Sequence, residues 1–232
     1  LDNKGTLPNS DYKRNNVAFT STYNFSNRLS IRTHATFINS SSNHRPGLGY
    51  GSENVMYSFL WMGRQVDLTA AEDYWQAGQE GFQQFNYNTQ WLDNPYFNVF
   101  ENRNGFEKNR LLGNAILKYE ISEHWKIRFR SGIDTYADLR TSQRAFSTQR
   151  FKNGAYREDD VSFTEMNTDL MLAYDNTFAE KWTFNAALGA NNFTQETKYK
   201  SLLAGQLSVP GVYNFENSKV ALKASQFNSQ KQ

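Results

Sequence analysis

The segment from Trp125 to Asp134 alternates between apolar and charged residues at nearly every position. Successive side chains of a strand point to opposite sides, so this pattern predicts a strand with one apolar face and one charged face. The apolar face holds Trp125, Ile127, Phe129 and Ile133, and the charged face holds Lys126, Arg128, Arg130 and Asp134. The charged face has to meet water, whereas the apolar face can meet a protein core or lipid.

Alternation of the same kind recurs in three pairs of segments, and a short polar turn joins each pair. The pairs predict hairpins at about residues 14–38, 109–136 and 163–193, or about six strands of roughly ten residues. Long loops are expected at about residues 39–108, 137–162 and 194–232. Within the second loop, Asn153-Gly154 is typical of a hairpin turn, so the two sides of that loop can extend the strands.

The composition excludes several classes of protein. No run of about 18 apolar residues occurs, which excludes a membrane-spanning helix. Cys is absent, so disulfides and thiolate metal sites are excluded. The net charge is +2, from 25 basic and 23 acidic residues without a Lys/Arg block, so nucleic acid is not expected as a partner. The first residues, "LDNKGTLPNSDYKR", lack the features of a signal peptide, so an export signal is expected upstream.

Three features favour lipid over a soluble core for the apolar faces. Ten residues in a strand tilted by about 45° rise about 24 Å, close to the ~25 Å apolar band of an outer-membrane barrel. Aromatic residues flank the short turns, as in an interfacial girdle: Tyr23, Phe25, Tyr119, Trp125, Tyr174 and Trp182. Short turns also alternate with long loops, as periplasmic turns and extracellular loops do in such barrels. A soluble β-sandwich shares the alternation but not this sorting of loops.

The cost of a register slip supports the same assignment. A slip by one residue would turn three cations of the strand toward lipid, at ~2–4 kcal/mol each near the midplane. We therefore predict an all-β, transmembrane antiparallel barrel segment in which Trp125, Ile127, Phe129 and Ile133 face lipid. The predicted lumen-facing residues are Arg32, His34, Lys126, Arg128, Arg130 and Asp134. About six strands are fewer than the eight of the smallest barrels, so a larger barrel is expected.

Several longer stretches resemble one family of membrane proteins. They are "FLWMGRQVDLTAAEDYW" (59–75), "NPYFNVFENRNGFEKNRLLGNAILKYEISEHWKIRFRSGIDTY" (94–136), "NHRPG" after the second strand and "VPGVYNF" (209–215). Together they resemble the SusC/RagA branch of the TonB-dependent outer-membrane transporters of Bacteroidetes. The likeness extends over nearly the whole chain.

The resemblance implies a 22-stranded barrel plugged by an N-terminal domain. It also implies import of oligosaccharides or peptides across the outer membrane, driven by the TonB complex and gated by a SusD-like surface lipoprotein. The plug, the segment that contacts TonB and the signal peptide are not among these residues. The resemblance leaves the transported solute open.

No catalytic or metal site is predicted. The three histidines, His34, His44 and His124, are scattered, and no Ser, Cys or paired carboxylate accompanies them at the spacing of a catalytic motif. The acidic residues of the loops do not follow a calcium-ligand spacing. The chain is therefore expected to be neither an enzyme nor a holder of a metal or cofactor.

Aromatic residues of the first long loop are the candidate binding residues. Exposed aromatic side chains supply large contact areas, so they could stack on sugar rings or pack against a lipoprotein. The alternative is a loop packed on its own side chains. The candidates are Trp61, Tyr74, Trp75, Trp91 and Tyr96.

Two other functions stay open at this point. The first is a structural or secretion-associated outer-membrane barrel whose loops dock protein partners. The second is a soluble carbohydrate-binding β-sandwich.

Overall fold

A computed structural model describes residues 1–231 and contains one eight-stranded antiparallel sheet, in which strands adjacent in the chain are adjacent in the sheet. The strands are β1 (Asp2–Lys4), β2 (Asp11–Asn24), β3 (Leu29–Ser42), β4 (Arg103–Glu120), β5 (Trp125–Thr148), β6 (Phe151–Phe178), β7 (Trp182–Ala204) and β8 (Lys223–Lys231). The helices are α1 (Val55–Leu60) and α2 (Pro95–Phe100), and a 3-10 turn covers Ala70–Glu72. Among the described residues no helix has the length and apolar content needed to cross a membrane.

The prediction of an all-β antiparallel sheet is confirmed. The six predicted strands correspond to β2 through β7, and the short strands β1 and β8 add one strand at each edge. The three predicted hairpins form the inner parts of β2–β3, β4–β5 and β6–β7.

Two of the short turns have the same construction, and a serine organises each of them. Ser26 Oγ accepts hydrogen bonds from the backbone N–H groups of Arg28 and Leu29, at 3.2 and 3.1 Å. Ser122 Oγ does the same for His124 and Trp125, at 3.3 and 3.2 Å. A serine hydroxyl that satisfies the backbone in this way is a known turn signal, so the tight turns follow from local sequence.

The prediction of a loop at residues 137–162 was wrong. Strand β5 continues to Thr148, and β6 begins at Phe151, so only Gln149 and Arg150 separate them. The expected turn at Asn153-Gly154 is also wrong, because both residues lie within β6. Gly154 has φ +65°, and a Cβ there would lie 2.8 Å from the Arg144 carbonyl oxygen. Gly154 therefore allows a local irregularity within strand β6, and it does not form the turn between β5 and β6.

The other two predicted loops are shorter than expected. Strand β3 continues to Ser42 and β4 begins at Arg103, so the irregular segment covers residues 43–102. Strand β7 continues to Ala204, which leaves an irregular segment at residues 205–222. The predicted strand ends came too early because the residues beyond them do not alternate: Glu158, Asp159 and Asp160 place polar groups on both faces of β6. The two sides of the second loop do extend the strands, as the sequence analysis expected.

Buried apolar side chains lie beneath the irregular segments rather than across the sheet. One group belongs to the 43–102 segment and consists of Val55, Ala71, Leu92, Phe97 and Val99. A second group joins the β6–β7 extension to the 205–222 segment and consists of Tyr156, Ala204 and Leu207, with Phe146, Tyr213 and Phe215 packed against them. The sheet below these groups has no apolar layer packed on it, so its apolar side chains are left exposed.

Candidate functional site

The strand register divides the sheet into two faces. Arg32 lies in the same row as Arg130, with Ile116 between them on β4. His34 lies one row further along, opposite Asn114. By alternation Lys126, Arg128 and Asp134 share this side of β5. The six residues predicted to face the lumen therefore occupy one face, here called the polar face.

Ion pairs cross between strands on the polar face. Arg130 Nε lies 2.6 Å from Asp169 Oδ2, and Arg128 Nη2 lies 3.9 Å from Asp169 Oδ1. Lys126 Nζ lies 3.0 Å from Asp175 Oδ1. Arg130 and Asp169 are directly opposite in the register, and the other two pairs are diagonal. Together they neutralise part of the charge in the lower half of the face and support the register.

Two further polar-face residues are held by neighbours. Arg110 forms a two-pronged contact with Asp134, at 2.8 Å through Nε and 2.5 Å through Nη2. The His34 ring nitrogens lie 2.8 Å from the Thr20 hydroxyl and 3.0 Å from the Thr36 hydroxyl. These contacts with neighbouring strands hold the Arg110 and His34 side chains against the sheet.

The opposite face carries mainly apolar side chains, here called the apolar band, and one row of small and polar residues that includes Ser131 and Thr168 crosses it. Phe129 lies opposite Leu117 on β4 and Leu170 on β6. Trp125 packs on Tyr174 with ring centroids 4.8 Å apart. Both predicted lipid-facing aromatics of β5 are 42% exposed, and Trp182 and Leu188 on β7 are 75% exposed. Exposed apolar surface of this extent marks a face that meets lipid or another apolar surface.

The apolar band ends abruptly toward the β5–β6 tip. Above Ile133, the same face of β5 continues with Thr135 and Ala137, opposite Thr164 and Ser162 of β6. Beyond them the face carries Leu139 of β5 opposite Asp160 of β6, and Asp160 lies opposite Lys200 of β7. The extensions of the strands are therefore mostly polar on the side where the lower strands are apolar.

Two of the five candidate binding aromatics belong to the interior of the 43–102 segment. Trp75 packs edge-on against Phe97 at 5.3 Å, and the Tyr74 ring stacks on Phe100 at 6.1 Å. The Tyr74 hydroxyl donates to Glu101 Oε1 at 3.0 Å. Burial and this hydrogen bond raise the pKa of Tyr74 to about 12. The packing of Tyr74 and Trp75 matches the alternative of a loop packed on its own side chains.

The remaining candidates divide again. Tyr96 stands apart, with its hydroxyl 3.3 Å from Glu72 Oε1. Trp61 and Trp91 are 62% and 76% exposed, and both line a cleft of about 610 Å³. The cleft lies between α1 and the β5–β6 tip, and its other walls include Tyr50, Tyr57, Asn88, Gln90, Gln149 and Arg150. Its volume lies within the range typical of small-molecule sites.

A buried polar network, which the sequence analysis missed, holds the 43–102 segment on the β5–β6 tip. Asp93 Oδ1 accepts hydrogen bonds from Gln84 Nε2 and from the Gln149 backbone N–H, each at 2.8 Å. Gln84 Nε2 also donates to the Ser147 carbonyl oxygen at 2.7 Å. Burial is the largest effect on the Asp93 carboxyl and raises its pKa. The network anchors one wall of the cleft.

Asn94, beside this network, both caps a helix and ties two turns together. Its Oδ1 accepts from the backbone N–H groups of Tyr96 and Phe97, at 2.9 and 3.4 Å. Its Nδ2 donates to the carbonyl oxygens of Ala71 and Phe85, each at 2.9 Å. The sequence contained a signal for this site, because Asn followed by Pro is a typical helix start.

Three solved structures have a similar fold. The chain resembles the RagAB peptide importer in its "closed-closed" and "open-open" states, with a TM-score of 0.65 for each at 13% and 14% identity. It also resembles the RagAB peptide transporter, with a TM-score of 0.70 at 13% identity. Each match covers 95% of this chain and 25% of the solved chain.

No family model matches the sequence, and no curated protein matches it significantly. At 13–14% identity the similarity is one of fold. The chain therefore has a RagA-like fold, and it spans about a quarter of the length of the structures that it resembles.

Within residues 1–231 no group of three or more His, Cys, Asp or Glu side chains is arranged to hold a metal ion.

Proposed function

We propose that this chain is part of the wall of an outer-membrane, TonB-dependent nutrient importer. The observation that carries the proposal is a sheet with a RagA-like fold, one charged face and one exposed apolar band. The solute class proposed is a peptide or an oligosaccharide, with a SusD-like lipoprotein as partner. TonB would act through a segment outside these residues.

The height of the apolar band fits this proposal. On β5 the band runs from Trp125 to Ile133, and on the β4 side it runs from Leu111 to Ile121, the residue that follows the strand. At ~3.4 Å per residue these stretches are about 27 and 34 Å long, or about 19 and 24 Å when tilted by ~45°. The apolar band of an outer-membrane barrel is about 25 Å tall. The exposed apolar side chains thus need no further covering once they meet lipid.

The positions of the turns and loops suggest how the sheet is oriented across the membrane. The three short turns lie at one end of the band, and the β5–β6 tip and the 43–102 segment lie at the other. Short turns are periplasmic and long loops extracellular in such barrels. The cleft with Trp61 and Trp91 would then open outside the cell, where it is available to a lipoprotein or a solute.

A direct test uses the full-length protein in its own outer membrane. Removing the segment that contacts TonB should abolish energised uptake of peptide or oligosaccharide while leaving the barrel in the membrane. A tag on the full-length protein should co-purify a lipoprotein from detergent extract. Trp61→Ala combined with Trp91→Ala should weaken uptake or this association, whereas Trp75→Phe, an interior control, should change neither.

Two results would contradict the proposal in different ways. Uptake that is indifferent to TonB, together with a defect in protein secretion, would favour the secretion-associated barrel. Cooperative unfolding of this chain in water without detergent would favour the soluble sandwich. Each result identifies the alternative that replaces the importer.

A further inference from the structure

The polar face is not uniformly charged along its height. In its lower half five cations (Arg32, Lys118, Lys126, Arg128 and Arg130) stand with five carboxylates (Glu120, Asp134, Glu165, Asp169 and Asp175). Arg128 and Arg130 share Asp169, and Lys126 pairs with Asp175. The upper half has a surplus of cations. The three polar-face rows that begin at Arg110 hold four cations on β2–β7 against two carboxylates: Arg14, Lys108, Arg110 and Arg140, with Asp138 and Asp159.

A fifth cation joins these rows from the irregular segment. The Arg45 backbone pairs with Asn104, its N–H donating to the Asn104 carbonyl oxygen at 2.8 Å. This pairing brings its guanidinium over the Phe106 ring, with Cζ 4.3 Å from the ring centroid. Burial and the nearby Arg140 lower the pKa of Arg45. We call Arg14, Arg45, Lys108, Arg110 and Arg140 the basic patch.

Three carboxylates near the patch already bind a cation, and a fourth, Glu165, lies opposite Asp134 in the row below Arg110. Arg140 binds Asp138 Oδ2 at 2.7 Å. Arg110 binds Asp134 in the row below. Asp159 binds Arg157 at 2.7 Å. Each of these acids therefore binds a cation that lies beside it. Asp138 also lies opposite Lys108 and acts on Arg45, but it forms an ion pair with neither of them.

The three remaining cations have no ion pair among residues 1–231. Lys108 Nζ rests over the Tyr136 ring, 3.6 Å from its centroid, and Arg45 rests over Phe106. An aromatic face attracts a cation without neutralising it, so the ammonium and the guanidinium keep their charge and their capacity to donate hydrogen bonds. Cations gathered on one face repel one another unless an anion lies among them.

From this arrangement, and resting on the proposed function, we infer that the basic patch is a subsite for an anionic group of the imported solute. The group is a carboxylate or a sulfate, bound between Arg45 and Lys108. Asp138, which lies opposite Lys108 and binds Arg140, repels the anion on the β5 side of the site. An acidic oligosaccharide and an acidic peptide would present the same chemistry, and the test below distinguishes them.

Binding to the purified full-length protein in detergent tests the subsite. The probes are hexaglutamate and hexaglutamine, and tetragalacturonate and its uncharged methyl ester, each titrated by calorimetry at ~50 mM and ~300 mM salt. We expect one acidic probe to bind about tenfold more tightly than its neutral partner at low salt, because charged hydrogen bonds form only with the acid. The acidic probe that shows the preference identifies the source of the anion.

Substitutions test whether the basic patch causes the preference for the acidic probe. Arg45→Gln combined with Lys108→Met should remove it, whereas Lys200→Gln, a cation on the opposite face, should preserve it. Heat-modifiable mobility confirms that each variant is folded, and the salt dependence of the unaltered protein gives a readout that needs no variant. Equal affinity for acidic and neutral probes, or a preference that survives the double substitution, would overturn the inference.

The outcome separates the inference from the proposed function. Energised uptake of a neutral solute without acid preference would reject the subsite and keep the importer. Acid-selective binding at Arg45 and Lys108 without energised uptake would keep the subsite and reject the importer.

Discussion

Replacing Phe129 by arginine tests which face of the sheet meets lipid. Phe129 is the middle residue of the apolar band on β5, between Trp125 and Ile133. It lies opposite Leu117 and Leu170, so a cation there has no acidic neighbour in its row. If the band faces lipid, Phe129→Arg places a charge near the midplane of the bilayer.

The expected cost follows from that depth. An Arg on the lipid face near the midplane destabilises a barrel by ~2–4 kcal/mol. The reverse change one residue later, Arg130→Phe, removes a half-exposed ion pair with Asp169, which is worth about 1 kcal/mol or less. Asp169 keeps Arg128 at 3.9 Å, so its carboxylate is not left alone.

Urea titration of the full-length barrel in lipid vesicles, followed by heat-modifiable mobility, measures both changes. Ala137→Arg is the matched control, because Ala137 lies on the same face but beyond the end of the band. Its cost should be ~0–1 kcal/mol, as for cations near the interface. Phe129→Leu should be nearly neutral.

The reasoning fails if Arg130→Phe destabilises the barrel as much as Phe129→Arg. It also fails if Ala137→Arg and Phe129→Arg cost the same, because the effect would then not depend on depth. Either result would mean that the apolar band is not the lipid-facing surface.

Three further predictions concern the direction of the chain and the 43–102 segment. In intact cells a membrane-impermeant maleimide should label Gln79→Cys and Lys152→Cys but not Glu123→Cys; the opposite pattern would invert the topology. Asn94→Ala should speed proteolysis within residues 43–102 without changing barrel stability, because it removes a helix cap and two buried hydrogen bonds worth about 2 kcal/mol together; unchanged cleavage would contradict that role. Because the pKa of Asp93 is raised in the folded segment, the folded form binds more protons than the unfolded form above pH ~4, so stability falls as pH rises toward the raised value. Hydrogen exchange of the segment should therefore slow on acidification, and Asp93→Asn should remove that dependence; an unchanged pH dependence in the variant would assign it to another group.

The sequence by itself determined the strand pairs, the two faces and the tight turns. These features depend on neighbours in the chain. The two-residue period of a strand places Phe129 and Arg130 on opposite faces, and the Ser122 hydroxyl accepts hydrogen bonds from backbone N–H groups two and three residues ahead. The register found in the sheet follows because a slip by one residue would exchange the faces of every strand.

Only the tertiary structure decided which loop aromatics are buried and which are exposed. Trp75 and Trp91 have the same residue type and lie in the same segment, yet Trp75 packs on Phe97 and Trp91 opens into the cleft. The basic patch is likewise invisible in the sequence, because Arg45 and Lys108 are far apart along the chain and Arg45 joins the sheet only through its pairing with Asn104. Local periodicity reports which side of a strand a residue occupies, whereas contacts between distant segments depend on the path of the backbone.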